Sequence, residues 1–478
     1  MIGKGSLLAG GWLALSLFIA EGSAATHWPE LASRNGQRPV TGEQPWIAPN
    51  GRSLCFELVG PLSCAKRGAS RWQVDPAIAV QFQYPSVSRD GTTAFGNNIE
   101  IPMSVDTIGI SGGVLRLATR RRVVMPAIPG VVTGYRAIAI SDAARYVLAQ
   151  RVDDSGRRVA EACIRVDLRS GAWITVPHGS VNRTCEAMSG DGRFVVVAER
   201  VDTSAPPRRL IRRELATGEE DVVDVDADGD SRGTNVAIAL SQNGRYVGFS
   251  SLSSKLVPGD TNGAEDVFVR DMALRRTRRV NLGPGGRQTS GGLWPGGGQW
   301  MSADGRIVAF ATHDPGLGGS PTVAQLVVRD LKTGRVRVVS RNRLGRYANE
   351  GVNGQFALNI SGRYVAFSTM SSNLDLTVTD NNVENDVYFL DLGNFAPHAM
   401  SRVIGVRRTG RLLSFSGARS SDRDGRIKQW RWAFGDGRFA RGRVVRHRYS
   451  APGTYNFTLT VIDNEGGRHS VRRKVAIR

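Results

Sequence analysis

Residues Val236-Ala-Ile-Ala-Leu-Ser-Gln-Asn-Gly-Arg-Tyr-Val-Gly-Phe-Ser250 contain two short apolar runs joined by a turn, and a third run, Asp266-Val-Phe-Val-Arg-Asp271, follows a polar loop. Asn243-Gly244 between two such runs predicts a β-hairpin in which both central residues adopt positive φ. Three or four antiparallel strands of this kind cannot bury both faces of their sheet alone. Copies of the unit must therefore stack against one another.

The copies are present along most of the chain. They read Ser88-Arg-Asp-Gly91, Ser141-Asp-Ala-Ala144, Ser189-Gly-Asp-Gly192, Ser302-Ala-Asp-Gly305 and Asn359-Ile-Ser-Gly362, with a weaker copy at Ala48-Pro-Asn-Gly51. The positions that correspond to Gly244 follow one another at intervals of 40 to 61 residues. Repeats of this length with four short strands each are typical of β-propellers, and no copy shows the 3.6-residue apolar spacing of a helical solenoid. The sequence predicts an all-β fold with a propeller over residues 26–393.

The end of each predicted third strand carries a turn signal. These signals are Leu117-Ala-Thr, Asp167-Leu-Arg-Ser-Gly171, Glu214-Leu-Ala-Thr-Gly218, Asp271-Met, Asp330-Leu-Lys-Thr-Gly334 and Asp391-Leu-Gly393. Each predicts a tight turn into a fourth, outer strand. The last repeat has no such strand before Asn394, and we expect Glu30-Leu-Ala-Ser-Arg34 to supply it and to cover the exposed edge. Seven blades of about 52 residues are favoured, with six blades and a separate hairpin at residues 26–85 as the alternative.

The repeated string Ser-x-Asp/Asn-Gly-Arg, followed by an apolar strand, is clearest at Ser241–Ser250 and Ser302–Phe310. It resembles the TolB-like propeller repeats, the PD40 or WD40-like repeats of bacterial exported proteins, over roughly three quarters of the chain. Ala143-Ala144 and Ser361 depart from the pattern, which predicts another turn type there. The resemblance implies an interaction platform; in some relatives the propeller is attached to a hydrolase domain, which we do not expect here.

The first residues have the features of an export signal. Lys4 precedes an apolar stretch from Leu7 to Ala20, and the small residues Gly22-Ser-Ala-Ala25 follow. A basic segment, an apolar segment and a small-residue cleavage site predict a signal peptide over residues 1–25, since the run is short for a membrane span. We expect a periplasmic or secreted protein.

The four cysteines, Cys55, Cys64, Cys163 and Cys185, are even in number, and export predicts an oxidising compartment. Three pairings are possible. A Cys55–Cys64 bond would close a hairpin in the first repeat, and a Cys163–Cys185 bond would join neighbouring blades. Zinc binding is not expected, because no C-x-x-C spacing occurs.

The composition changes near Asn394. Residues 401–478 contain 19 Lys and Arg against 5 Asp and Glu, a net charge of +14 out of +20 for the whole chain. Apolar alternation predicts a small β-sandwich with strands at Leu412–Phe415, Ile427–Phe434, Arg443–Arg448, Tyr455–Val461 and Ser470–Ile477. The aromatic side chains of Trp430, Trp432 and Phe434 fall on one face at period two, which we expect to be the core.

The motifs of this segment form a specific set: Asn394-x-Ala-Pro397, Ser421-Asp-Arg-Asp-Gly425, Trp432-Ala-Phe-Gly-Asp-Gly437, His447-x-Tyr449, Pro452-Gly-Thr-Tyr455 and Leu459-Thr-Val-x-Asp463. They resemble a PKD domain over residues 394–478. The resemblance implies an Ig-like accessory module of an exported or surface protein, with a structural role for His447. Ala433 stands where the family usually has Asp.

A domain this basic attracts polyanions, which outside the cytoplasm include acidic polysaccharides, lipopolysaccharide, teichoic acids and DNA. The alternative interpretation of the arginines is dispersed surface charge without a dedicated partner.

Two acidic loops are candidate metal sites. Asp260, Asn262 and Asp266 share the pattern D-x-N-x-x-x-D with Asp380, Asn382 and Asp386, at equivalent places of two repeats. Oxygen ligands at alternate loop positions suit Ca²⁺, and the alternative is a network of Asx-turns. A third run, Asp224-Val-Asp-Ala-Asp228, begins like an EF-hand loop but has Asn235 at its twelfth position, where that loop requires Glu.

We predict no catalytic residue. H-E-x-x-H and P-loop strings are absent from the sequence, and the six histidines are scattered. Two functions are consistent with the sequence. The first is a non-enzymatic exported binding or scaffold protein that binds protein or glycan on the propeller face and polyanions on the PKD domain. The second is a glycan hydrolase or lyase with its site in the propeller channel. Two close carboxylates in a deep pocket would favour the enzyme.

Overall fold

The computed structural model describes residues 30–31, 42–47, 53–58, 62–67, 72–80, 82–87, 93–100, 109–116, 121–123, 135–152, 158–176, 183–200, 208–226, 228, 238–289, 300–376 and 384–478. The predicted signal peptide and the loop residues Asp380 and Asn382 lie outside these ranges. The chain divides into two compact units, residues 1–391 and residues 392–478. The described part contains no helix with the length and hydropathy that crossing a bilayer requires.

Unit 1 is built from short antiparallel sheets that follow one another along the chain. After the short strand β1 (Glu30–Leu31), the first sheet contains β2 (Gly42–Ile47), β3 (Ser53–Leu58), β4 (Leu62–Arg67) and β5 (Trp72–Val80). The second contains β6 (Phe82–Val87), β7 (Thr93–Glu100), β8 (Gly109–Arg116) and β9 (Arg121–Val123). The third contains β10 (Tyr135–Ile140), β11 (Tyr146–Val152), β12 (Arg158–Asp167) and β13 (Trp173–Thr175).

The fourth sheet contains β14 (Arg183–Met188), β15 (Phe194–Arg200), β16 (Arg208–Glu214) and β17 (Glu220–Val222). The fifth contains β18 (Ala239–Leu240), β19 (Tyr246–Ser251), β20 (Asp266–Asp271) and β21 (Arg276–Arg279). The sixth contains β22 (Ile307–Thr312), β23 (Gln325–Asp330) and β24 (Val336–Val338), and single 3₁₀ turns lie at Pro284–Gly286 and Pro315–Leu317. The last contains β25 (Val352–Leu358), β26 (Tyr364–Thr369), β27 (Asp386–Asp391) and β1.

The last sheet takes its outer strand from the beginning of the chain, as predicted. β1 pairs antiparallel with β27, with Glu30 opposite Phe389 and Leu31 opposite Tyr388. β2 of the first sheet contacts β25 and β26 of the last. The first sheet thus has four strands and contacts the last sheet, and the choice between seven and six blades stays a prediction. Unit 1 is a β-propeller.

The repeated turn has one geometry throughout the described copies. In the fifth sheet the Ser241 hydroxyl accepts a hydrogen bond from the Tyr246 amide at 2.9 Å, and the Gly244 amide donates to the Ser241 carbonyl at 3.1 Å. Gly244 has φ +69°, whereas Ala144 and Arg275 are the only non-glycine residues with positive φ in the described ranges. The prediction of positive φ at both Asn243 and Gly244 was wrong, because the turn closes from Ser241 and needs one left-handed residue.

The predicted exceptions to this turn were also wrong. Ala144 adopts φ +50° and its amide donates to the Ser141 carbonyl at 2.9 Å, so it takes the place of the glycine. Gly362 closes the Asn359 turn in the same way, with φ +73°. Tertiary packing imposes the turn where the local sequence does not favour it.

The same turns hold neighbouring sheets together. A Cβ atom added to Gly244 would lie 2.3 Å from the Phe194 ring of the preceding sheet, and one added to Gly305 would lie 2.4 Å from the Tyr246 ring. The turn backbones are also joined, since Gln242 donates to the Ala303 carbonyl at 2.9 Å. Glycine is required here both for its positive φ and for the close approach of an aromatic ring.

Unit 2 is a sandwich of two antiparallel sheets. One contains β28 (Arg402–Ile404), β29 (Leu412–Ser416) and β32 (Val444–Arg448). The other contains β31 (Phe439–Arg441), β30 (Ile427–Ala433), β33 (Gly453–Asp463) and β34 (Arg468–Ile477). The five predicted strands are confirmed with small shifts of their ends, and β28 and β31 were not predicted. Trp432 and Phe434 are buried in the core between the sheets and Trp430 packs against it, as expected.

Candidate functional site

The first acidic loop is organised around an arginine. Arg279 Nη1 lies 2.8 Å from a carboxylate oxygen of Asp260 and 2.8 Å from one of Asp266. Asn262 donates to Asp266 at 3.3 Å, and Asn281 also donates to that carboxylate. The sequence pattern suggested that calcium supplies the positive charge in this loop. In the structure Arg279, on the outer strand β21, supplies it. Calcium binding by this loop stays a prediction. A calcium ion would have to compete with Arg279 for the carboxylates of Asp260 and Asp266.

Burial shapes the electrostatics of this loop. Desolvation, and then repulsion from Asp266, raises the pKa of Asp260 above its ordinary value, although Arg279 opposes the shift. Removing this one guanidinium would leave two buried carboxylates without a compensating charge, which is strongly destabilising.

The second acidic loop differs from the first at the corresponding position. Asp386 begins β27 as Asp266 begins β20, and it is fully buried. Arg279 lies opposite Phe268 in the fifth sheet, and the equivalent pair in the last sheet is Leu31 opposite Tyr388. The outer strand β1 therefore has Leu31 at the register position that Arg279 occupies in β21. The calcium prediction for Asp380, Asn382 and Asp386 remains open, with its first two residues outside the described ranges.

The third acidic run has a structural use. Asp224 is fully buried and accepts a hydrogen bond from the Leu210 amide at 2.9 Å. Asn281 and Ser340 do the same for Val267 and Leu326 in the next two sheets. Asp224 thus occupies a repeated position that ties the outer strand to the third strand.

The cysteines join the sheets as the sequence suggested. Cys163 on β12 and Cys185 on β14 form a disulfide between consecutive sheets. Cys55 and Cys64 lie directly opposite each other on β3 and β4. The described side chains do not include this second pair, so its bond stays a prediction.

Gly109-Ile-Ser-Gly-Gly113 has the spacing of a nucleophile elbow, which the sequence interpretation overlooked, but it lies inside β8, and an elbow needs a strand-to-helix turn. In the described ranges, no group of three or more His, Cys, Asp or Glu residues is arranged to hold a metal ion. His447 is a core residue, stacked on Phe434 at 3.9 Å and 2.8 Å from Asp436.

The most distinctive surface lies on unit 2, on the sheet of β30, β31, β33 and β34. Strand register places two neighbouring rows of side chains on the side opposite the core. One row crosses the sheet as Phe439, Ala433, Thr458 and Arg472, and the other as Arg441, Arg431, Thr460 and Ser470. We call these two rows, with Lys474 beside them, the basic face. Neither row contains an acidic residue.

The basic face places like charges against each other. Arg431 and Arg441 are directly opposite on adjacent strands, and both are exposed. Like charges in this relationship destabilise a sheet, so folding alone does not favour them. The Phe439 ring beside them is 76% exposed. Arg431 is oriented by Gln429, which accepts hydrogen bonds from it at 2.8 and 3.1 Å.

Three of the five acidic residues of unit 2 lie near one another, outside the basic face. Asp422 and Asp424 lie close together in the turn before β30, and Asp463 at the end of β33 also acts on Asp422. Burial, and then repulsion from Asp424, raises the pKa of Asp422 to about 6. These three carboxylates lie outside the two rows of the basic face.

Comparison with known proteins identifies unit 2. Residues 394–477 match the family model of the PKD domain, as the motifs predicted. The chain is similar to collagenase ColA of Clostridium perfringens, 38% identical over 65 residues that make up 14% of this chain and 6% of the collagenase. The chain therefore spans only a small part of that relative's length.

Two solved structures cover the two units. The PKD1 domain of Vibrio anguillarum Epp is 27% identical and covers 18% of this chain and 96% of its own, with a TM-score of 0.17. The propeller domain of the Trilobed protease from Pyrococcus furiosus is 11% identical and covers 74% of this chain and 93% of its own, with a TM-score of 0.45.

Proposed function

We propose that this protein is an exported, non-enzymatic binding protein whose PKD domain holds anionic polysaccharides on the basic face. The observation that carries the proposal is the direct opposition of Arg431 and Arg441 on a surface row without any carboxylate. A bound anion would relieve the repulsion between them, so binding recovers free energy that the unliganded fold gives up.

Carbohydrate is favoured over other polyanions by the side chains between the arginines. Thr460 and Ser470 share a hydrogen bond of 2.7 Å on the Arg431 row, and Thr458 lies on the Arg472 row. Hydroxyl groups at this spacing complement sugar hydroxyls, and the exposed Phe439 ring complements the apolar face of a pyranose. Arginine binds carboxylates and sulfates in bidentate geometry.

Export is supported by the disulfide between Cys163 and Cys185, because such bonds persist in oxidising compartments. The propeller would then serve as an interaction platform for protein or glycan. Within the described part of unit 1, the close carboxylates of Asp260 and Asp266 share Arg279, and a carboxylate pair held by an arginine does not favour the glycan-cleaving alternative.

The test measures binding of the full-length chain to a polyuronate at several salt concentrations. The double variant R431Q/R441Q is compared with R407Q/R408Q, which removes the same charge from exposed positions outside the basic face. We expect the first variant to lose at least about tenfold in affinity and to show a weaker salt dependence, and the second to lose much less.

Equal losses in the two variants would show that net charge alone attracts the polymer and would overturn the assigned face. Double-stranded DNA bound more tightly than polyuronate at equal charge would overturn the choice of carbohydrate. Neutral dextran serves as the uncharged control.

A further inference from the structure

A second basic site lies on unit 1. It is a pocket of about 330 Å³ along the outer strand β24 of the sixth sheet. Arg335, Arg337, Arg341 and Tyr347 line it, with Leu317 of a 3₁₀ turn on the opposite wall. This volume accommodates a ligand of the size of a sugar.

The walls of the pocket are built by a tight hairpin after β24. Arg341 and Tyr347 pair across it, and the buried Asn342 side chain accepts hydrogen bonds from the Leu344 and Arg346 amides at 3.0 Å each. Asn342 also donates to the Asn373 carbonyl at 2.8 Å, which anchors the hairpin to the last sheet. The pocket is therefore held in place before any ligand arrives.

Tyr347 forms an aromatic wall of defined orientation. Its ring packs against Gly318, where an added Cβ would lie 2.5 Å away and φ is +81°. Arg341 stacks over the other part of this ring, with its guanidinium carbon 5.4 Å from the ring centroid, and donates to the Gly345 carbonyl at 3.2 Å. The ring remains 41% exposed.

The pocket is uniformly positive. Its lining contains three arginines and no acidic residue. The nearby Asp314 is fully buried and engaged by Arg287 at 2.6 Å, and Asp391 is engaged by Arg363 at 2.8 Å. Burial, and then repulsion from Arg335, lowers the pKa of Arg337 despite the attraction of Asp391. An anion in the pocket would reduce this repulsion.

We infer that this pocket binds a sugar acid, with its carboxylate between Arg335 and Arg337 and its ring against Tyr347. Arg335 directly precedes β24 and Arg337 lies two residues further along, inside that strand, so in extended backbone their side chains leave the same side. A bidentate guanidinium suits a planar carboxylate, and the exposed Tyr347 ring suits the C–H face of a pyranose more than it suits an inorganic anion.

The experiment is calorimetric titration of the full-length protein with glucuronate, with glucose and inorganic phosphate as comparison ligands. We expect saturable glucuronate binding that glucose does not show. Y347A, R337Q and the surface variant R335Q should each weaken it at least about fivefold, since each removes one contact. R343Q, an exposed arginine of the same hairpin outside the pocket lining, should bind as the native protein does.

Phosphate binding as tight as glucuronate binding, with Y347A unaffected, would replace the sugar acid by a simple anion site and overturn the inference. So would the absence of glucuronate binding in the native protein. The PKD variant R431Q/R441Q should keep glucuronate binding, so failure of this inference is distinguishable from failure of the proposed polymer binding.

Discussion

Arg279 and Asp266 form an ion pair inside the propeller, 2.8 Å apart, with 7% and 1% of their side chains exposed. Arg279 binds Asp260 at the same distance. One guanidinium thus compensates two buried carboxylates that belong to different parts of the loop before β20.

Replacing this arginine by glutamine leaves both carboxylates without their cation. We expect R279Q to lower the free energy of unfolding of the propeller by about 3 to 5 kcal/mol, the cost of breaking a buried pair. Urea unfolding measures it. R245Q is the matched control, since Arg245 pairs with Asp271 at 2.7 Å but is 40% exposed, and it should lower the free energy of unfolding much less than R279Q does. Equal costs would contradict the role assigned to burial.

We predict that any effect of calcium on the melting temperature arises from the second acidic loop. The register position of Arg279 is occupied there by Leu31, which carries no charge. We expect chelator to lower the melting temperature of the native protein and of D260N but not of D380N. At a calcium concentration of 100 times Kd the stabilisation is about 2.7 kcal/mol. A melt unchanged by chelator would remove the calcium prediction for both loops.

Ala144 stores strain that glycine would release. It holds φ +50° where the other described copies of the turn have glycine. We expect A144G to stabilise the propeller by about 1 kcal/mol, because left-handed backbone costs a residue with a Cβ roughly that amount. The reverse change G192A should destabilise, since its Cβ would lie 2.3 Å from the Tyr146 ring. A neutral or destabilising A144G would show that the strain is compensated locally.

The turn string was enough to predict the propeller because its serine, glycine and arginine act within one repeat or on the next. Ser241 caps its own turn, and Arg245 binds Asp271 at the end of the same sheet's third strand. The role of Arg279 could not be predicted, because nothing in its own strand marks it as the partner of a loop that lies earlier in the chain. The basic face was missed for a related reason: it depends on the register between β30 and β31, and β31 is only three residues long, too short to show an apolar pattern.

Asp422 makes the PKD domain less stable at neutral pH. Its pKa is raised from 3.8 to about 6, by burial first and then by Asp424. The folded state therefore binds this proton more tightly than the unfolded state, and stability falls as the pH rises from about 4 to about 6. We expect D422N to raise the melting temperature of the PKD transition at pH 7 and to have little effect at pH 4, measured by calorimetry of the full chain.

Asp436 provides a control of opposite sign in the same domain. Burial raises its pKa, but the Arg438 amide and then His447 outweigh burial and lower it. Its contribution to stability is present above the unfolded pKa and is lost as the pH falls through the lower folded value. D436N should therefore destabilise the domain at pH 7, where D422N stabilises it. If both variants moved the transition in the same direction, the loss of a negative charge from a basic domain would explain the result, and the local environments of the two carboxylates would not.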